Sequence, residues 1–233
     1  MLFQLLQAVP DFLAKAAEAP AVPAEQTLNL LDLASKGGWL MIVLLILSII
    51  AIYIFGSKWW MIHKASKVDR NFIKNIRALI HDGKTKSAVE LCRKYDTPTA
   101  RLVEKGIERI GRPLEDIQAA VENMGNVEVA RLEKGLPMLA TIAGGAPMIG
   151  FLGTVTGMIQ AFFEMANAGN NIDITLLSGG IYEAMITTVG GLFVGIIAYF
   201  GYNYLTSQIS NLVFKMENAT IAFIDMLHEP AEE

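Results

Sequence analysis

A lone cysteine, Cys92, in 233 residues leaves no partner for an internal disulfide, which excludes a disulfide-stapled scaffold. The histidines, His63, His81 and His228, lie far apart along the chain. No Cys or His cluster has metal-ligand spacing, so the sequence predicts neither a zinc module nor a cofactor. Charge is scarce as well. Charged residues make up 18% of the chain, against about a quarter in a soluble domain, and mean hydropathy is +0.41. A water-soluble globule is disfavoured.

The few charges are unevenly placed. Of the 19 Lys and Arg, 16 fall between Lys58 and Lys134, with Lys15 and Lys36 before that stretch and Lys215 after it. Three spans carry no charge at all. The first, 37–57, has 21 residues and includes WLMIVLLILSIIAIYIF, enough at 1.5 Å per residue to cover the ~30 Å hydrocarbon core. Trp39 at one end and Tyr53, Trp59 and Trp60 at the other suit the headgroup zone. The apolar run starts too far from Met1 for a secretory signal.

The second uncharged span, 135–163, has 29 residues and the third, 184–214, has 31. Their texture differs from that of the first: six glycines fall in the second and four in the third. Lipid removes the usual hydrophobic drive for helix association, and small residues let backbones approach closely. The first helix therefore reads as mostly lipid-facing and the other two as a packed pair, although glycine is also simply common in membrane helices.

Lysines and arginines follow the first span closely and precede the second, whereas 164–183 contains none. By the positive-inside rule 58–134 and the C-terminus are cytoplasmic, and the N-terminus and the loop near Asp173 are outside. Within 58–134, apolar residues recur at helical spacing (Phe72, Ile73, Ile76; Ala88, Leu91; Leu102, Val103, Ile107), broken at Asp82-Gly83, Thr97-Pro98 and Gly111-Arg112-Pro113. From Leu114 the pattern runs on through Ile117, Val121, Met124 and Leu132, predicting one long helix that continues into the second span. The cations of this region are interleaved with 11 acids, the composition of a solvated helix surface near anionic membrane lipid rather than of a nucleic-acid site. Residues 1–36, with Pro10, Pro20 and Pro23, read as an outer segment without a firm element.

The sequence thus predicts an all-α, polytopic membrane protein: 1–36 outside, membrane helices at 37–57, 135–166 and 174–207, a cytoplasmic helical region at 58–134, a short outer loop at 167–173, and a cytoplasmic C-terminal helix and tail at 208–233.

The start of the third membrane helix decides the standing of one carboxylate. If Asp173 or Thr175 caps it, Glu183 lies roughly 15 Å along the helix, and a carboxyl group at that depth must face protein or water. If the helix instead starts at Glu183, this residue is an exposed first-turn acid helped by the dipole. The same ruler puts Thr154 about 18 Å and Thr188 about 22 Å deep. Glu183 and Thr187 share a helix face with Thr188 on its flank. These groups could line a polar path, or each threonine could merely bond its own preceding carbonyl. The spans offer no second deep carboxylate for a relay with Glu183, so a partner would have to bring one.

At these residues the chain resembles the MotA/TolQ/ExbB proton-channel family, and most closely its ExbB-type members. Leu139 to Met158, LATIAGGAPMIGFLGTVTGM, is similar to the family's segment ending in G-x-x-G-T-V-x-G-M. Gly179 to Leu192, GGIYEAMITTVGGL, is similar to its G-I-x-E-A-L stretch followed by threonine and glycine. The likeness in sequence covers mainly 114–215, and the three-span topology extends it. It implies a pentamer in the bacterial inner membrane, with a periplasmic N-terminus and the second and third helices around a pore. That pore would enclose a single-span partner of the ExbD/TolR type, which carries the aspartate that is protonated and released. The pathway roles fall on Thr154, Glu183 and Thr188, with Thr187 at a position where some members have alanine. Helix-packing roles fall on Pro147, Gly150, Gly153, Gly157, Gly190 and Gly191. The implied work is proton-driven energising of a TonB-like protein for outer-membrane uptake, with a TolQ-like role in envelope integrity as the alternative. A four-span flagellar stator fits less well.

Two other classes were weighed. An intramembrane enzyme needs a nucleophile and base at matching depth, and no Ser, His or Cys pair in the spans meets that need. A non-conducting membrane scaffold, in which Glu183 and the threonines serve packing alone, is the serious rival.

Overall fold

The computed structural model describes residues 38–66, 71–167 and 174–228. Every regular element among them is helical: α1 (Gly38–Ala65), α2 (Phe72–His81), α3 (Thr85–Tyr95), α4 (Pro98–Ile107), α5 (Leu114–Glu133), α6 (Leu136–Asn167) and α7 (Ile174–His228). The all-α class expected from the sequence is the observed one, and the described residues include three helical stretches long and apolar enough to cross a membrane. Segment 1–36, the candidate cap Asp173 and the rest of 168–173 lie outside the described residues.

Within α1 the apolar composition leaves little contrast between faces. Leu40, Leu44 and Ala51 form a narrow buried stripe, while Ile42, Leu45, Ile49 and Ile52 stay exposed, the surface an apolar helix presents to lipid. At its far end Lys58 turns inward. Its Nζ donates to the carbonyls of Arg131 and Leu132 at 3.2 Å each, so a cation sits on the last turn of α5, where the dipole and the unpaired carbonyls favour one.

The predicted continuous helix from Leu114 into the second span is interrupted at Lys134 and Gly135. Lys134 takes ψ 120° and Gly135 takes φ +95°, a left-handed value that residues with a Cβ rarely adopt. Pro137 then falls in the first turn of α6, where its missing N–H costs nothing. Hydrophobic periodicity carries on across this break, which is why the sequence pattern alone reads straight through it.

The helices α2, α4 and α5 pack against the distal half of α7, and α3 packs on α2 and α4. Their shared core contains Phe72, Ile76, Ala88, Cys92, Val103 and Val121 with Leu212, Met216 and Phe223 of α7. Thr97 caps α4 by accepting from the Ala100 N–H at 3.3 Å, with Pro98 as the first helical residue. A buried ion pair ties α4 to α5. Arg101 donates through Nε and Nη2 to the two carboxylate oxygens of Glu128 at 2.8 and 2.7 Å, and through Nη1 to Asp96.

At 55 residues, α7 rises about 80 Å, far more than the ~30 Å of hydrocarbon. It serves as the common spine: its first half packs against α6 and α1, its second half against α2, α4 and α5.

Candidate functional site

α6 and α7 meet along a seam of small residues, and that seam sets the geometry of every candidate side chain. A Cβ on Gly191 would come within 2.5 Å of the Ala146 carbonyl and 2.8 Å of the Gly150 Cα. A Cβ on Gly150 would lie 2.9 Å from the Thr187 carbonyl. The backbones are therefore nearly in contact, as small-residue interfaces allow. Farther along, Gly195 makes room for the Pro147 ring, Gly157 faces Ala184, and Gly180 faces Ala161. Gly190 faces away from α6, toward Met41 and Leu44 of α1.

On this frame α7 begins at Ile174, which makes Glu183 a residue of the helix interior and not a first-turn acid. Its carboxyl group projects into a cleft of about 370 Å³ between α6, α7 and the first turn of α1. Thr187 lies one turn further along the same face, buried over Gly153, and its hydroxyl donates to the carbonyls of Ala184 at 2.8 Å and Glu183 at 3.2 Å. Thr188, on the flank, donates to the Gly150 carbonyl of α6 at 2.8 Å. Thr154 donates to the Phe151 carbonyl of its own helix at 2.6 Å. Thus the structure brings Glu183 and Thr187 together in the cleft, uses Thr188 to bridge the two helices, and keeps Thr154 on the intrahelical bond that is common for membrane threonines.

The cleft also holds groups that the sequence reading passed over. Thr156, Gln160 and Glu164 of α6 line it, as do Gly38 and Trp39 of α1. Gln160 donates to Glu164 at 3.2 Å. Glu164 is a second carboxylate lining the same cleft as Glu183. Glu164 occupies the shallower end, roughly 10 Å along α6 from Gly157, where Ala184 packs. A signal for this was available, because Gly153, Gly157, Gln160 and Glu164 recur at three and four residues and so share a face.

The third wall depends on tertiary packing. Gly38 opens α1 with φ +64°, and a Cβ there would strike the Glu183 carboxylate oxygen. The carboxylate thus lies against the first turn of α1. Chemically, the site offers two carboxyl groups, hydroxyls and an amide in an apolar helical setting. That set can hold water and exchange protons. Among the described residues, no three His, Cys, Asp or Glu side chains converge as metal ligands.

Residues 94–218 match the MotA/TolQ/ExbB proton channel family. A protein of Methanothermobacter thermautotrophicus named as a biopolymer transport protein ExbB homolog is 30% identical, over 81% of this chain and 67% of its own length. The Tol-Pal system protein TolQ of Haemophilus influenzae is 28% identical over 88% of this chain and 96% of its own. Biopolymer transport protein ExbB of Neisseria gonorrhoeae is 32% identical over 51% of this chain and 60% of its own.

Proposed function

This chain belongs to the MotA/TolQ/ExbB proton channel family, and from that premise we propose that it is the pore-forming subunit of an inner-membrane complex that converts proton flow into movement of a partner. It is a multi-pass inner-membrane protein. The observation that carries the reading is the cleft, in which Glu183 projects from the interior of a membrane helix beside Thr187, against the α6 seam and the α1 terminus. A carboxyl group at that depth has a high cost in lipid and marks a site that water or protons reach.

In the proposed mechanism α6 and α7 from several copies, five by family resemblance, surround a single-span subunit of the ExbD/TolR type. That subunit brings a carboxyl group to the level of Thr154, Thr187 and Thr188. Protonation of its carboxylate removes its attraction to the hydroxyl-lined wall and lets one set of helices shift within the other. A unit charge crossing 100 mV releases about 2.3 kcal/mol, and this becomes work only where conduction requires the shift. The positive-inside rule puts α2 to α5 in the cytoplasm and the α6–α7 loop in the periplasm.

The proposed output is energising of a TonB-like protein for outer-membrane import. A TolQ-like role in envelope integrity stands beside it, favoured by the Haemophilus TolQ, which aligns over nearly its whole length. Flux of protons into liposomes, with the chain alone and with a candidate single-span partner, tests the shared core of both. Flux that needs both proteins and disappears in Glu183→Gln supports the motor. Stable assembly with the same flux in Glu183→Gln moves the reading to a scaffold. Rescue of uptake or of envelope integrity in strains lacking either system separates the two outputs.

A further inference from the structure

A second concavity lies further along α1 than the Glu183 cleft. It is a furrow of about 340 Å³ between α1 and α7, walled by Ser48, Ile52 and Phe55 on one side and Ile197, Phe200 and Gly201 on the other. Its lining is almost wholly apolar. Gly201 keeps it open beside Phe55, since a Cβ there would come within 3.1 Å of that ring. At its end Tyr204 is shared with a small polar pocket of about 40 Å³ formed by Trp59, His63, Ser66 and Gln208.

The dimensions match a lipid rather than a soluble ligand. From Ser48 to Trp59 the helix rises roughly 16 Å, about one leaflet of the ~30 Å core. The apolar furrow therefore runs at acyl-chain depth, and the polar pocket opens where the headgroups lie, flanked by the amphipathic rings of Trp59 and Tyr204. Its charge is one-sided. No Asp or Glu occurs between Gly38 and Ala65 or between Ala184 and Met216, while Lys215 donates to the Ser66 hydroxyl at 3.1 Å and His63 stacks on Trp59 with ring centroids 6.0 Å apart. Lys58, by contrast, is committed to the α5 carbonyls. Hydroxyl, indole, imidazole and amide donors beside a lysine, with no carboxylate among the described residues that line the pocket, are the complement of a phosphate.

We propose that this furrow is a phospholipid site, with one acyl chain along α1 and α7 and an anionic headgroup held at Trp59, His63, Ser66, Gln208 and Lys215. The site is independent of the proton cleft and does not rest on the proposed motor.

The test uses the full chain purified in detergent, equilibrated with equal amounts of phosphatidylglycerol and phosphatidylcholine, washed, and assayed for retained lipid by mass spectrometry. Native protein should retain phosphatidylglycerol in preference. The double variant His63→Gln, Lys215→Ala should lose roughly fivefold in that preference, the ratio expected from about 1 kcal/mol per surface cation. Ser48→Phe, which fills the furrow, should lower retention of both lipids with helix content and oligomeric state unchanged. The proposal is overturned by equal retention of the two lipids by native protein, by no change in the double variant, or by a Ser48→Phe protein that alters oligomeric state while keeping its lipid. The last result would assign the furrow to a second copy of the chain. Should Ser48→Phe not fold, the double variant alone decides.

Discussion

The Thr188 hydroxyl donates across the helix seam to the Gly150 carbonyl at 2.8 Å, one turn of α6 before Thr154. Interhelical hydrogen bonds in membrane bundles contribute about 0.6 kcal/mol on average and at most about 1.7. Thr188→Val keeps the shape and removes the donor, so assembly should survive with its melting temperature little changed. Proton flux, if Thr188 also faces the partner's carboxylate, should fall by roughly tenfold or more, the effect of about 1.4 kcal/mol on a barrier. A Thr188→Val protein that assembles and conducts at the native rate would confine this residue to packing.

The seam itself is tested by two glycines that the sequence pattern cannot tell apart but the structure separates at once. Gly191→Ala drives a Cβ into the Ala146 carbonyl and the Gly150 backbone, neither of which is a flexible side-chain end. It should destabilise the α6–α7 pair by about 1–3 kcal/mol, the range for overpacking. Gly144→Ala points into open space, with nothing within 4 Å, and should be neutral. Comparing thermal aggregation midpoints of the two in detergent checks the pair; equal loss would mean that the helices do not meet in this register.

How much of this was legible without coordinates differs by kind of feature. The three spans were, because an absence of charge over more than twenty residues is a property of the chain in one dimension. The interior position of Glu183 followed from the apolar residues just before it, which would otherwise be stranded in an aqueous loop. The break at Gly135 was missed, although Gly135 and Pro137 both stand in the sequence, because the apolar period on either side stays in phase. Glu164 drew no role from the sequence, since it falls at the end of a span. Only the facing of α6 onto α7 turns it into the cleft. Lys58 on the α5 carbonyls, Arg101 on Glu128 and Gly38 on Glu183 join residues 27 to 145 apart in number, and no local pattern encodes such pairings.

The Arg101–Glu128 pair gives a prediction about stability alone. The Glu128 side chain is only 3% exposed, so Arg101→Met leaves a buried carboxylate with only the longer Arg131 contact at 3.9 Å, a loss that should approach that of a broken buried pair, about 3–5 kcal/mol. Replacing both, as Arg101→Met with Glu128→Leu, should recover most of the loss, because no charge is then stranded. Thermal unfolding followed by circular dichroism reads the cycle. Strict additivity of the two single changes would argue against a coupled pair.

Cys92 should be chemically silent in the folded protein. Burial, and secondarily the nearby Glu104 carboxylate, push its thiol up to about 12 from an ordinary value of 9.0. The thiolate is the reactive form, so maleimide labelling at pH 8 should proceed only as fast as α3 opens and should become rapid in denaturant. The sign of the linkage follows: the folded state favours the neutral thiol, so the stability it contributes is present below about pH 9 and is lost as pH rises toward 12. Rapid stoichiometric labelling of native protein at pH 8 would contradict the packing of α3 against α4.

Gly38 supplies the sharpest check on the cleft, because it has no side chain of its own and yet lies against the Glu183 carboxylate. Gly38→Ala both strains a backbone at φ +64° and pushes a methyl group into the Glu183 carboxylate. Helix α1 must shift its first turn or the carboxylate must swing out. If Glu183 works only from its present position, Gly38→Ala lowers flux with the protein still assembled, and Glu183→Gln lowers it by more. The double variant should be no worse than Glu183→Gln alone, since displacing an amide that has already lost the carboxyl chemistry costs nothing further, and residues acting through one group are not additive. Additive losses would separate the two residues and leave the α1 terminus as a structural element outside the proton path.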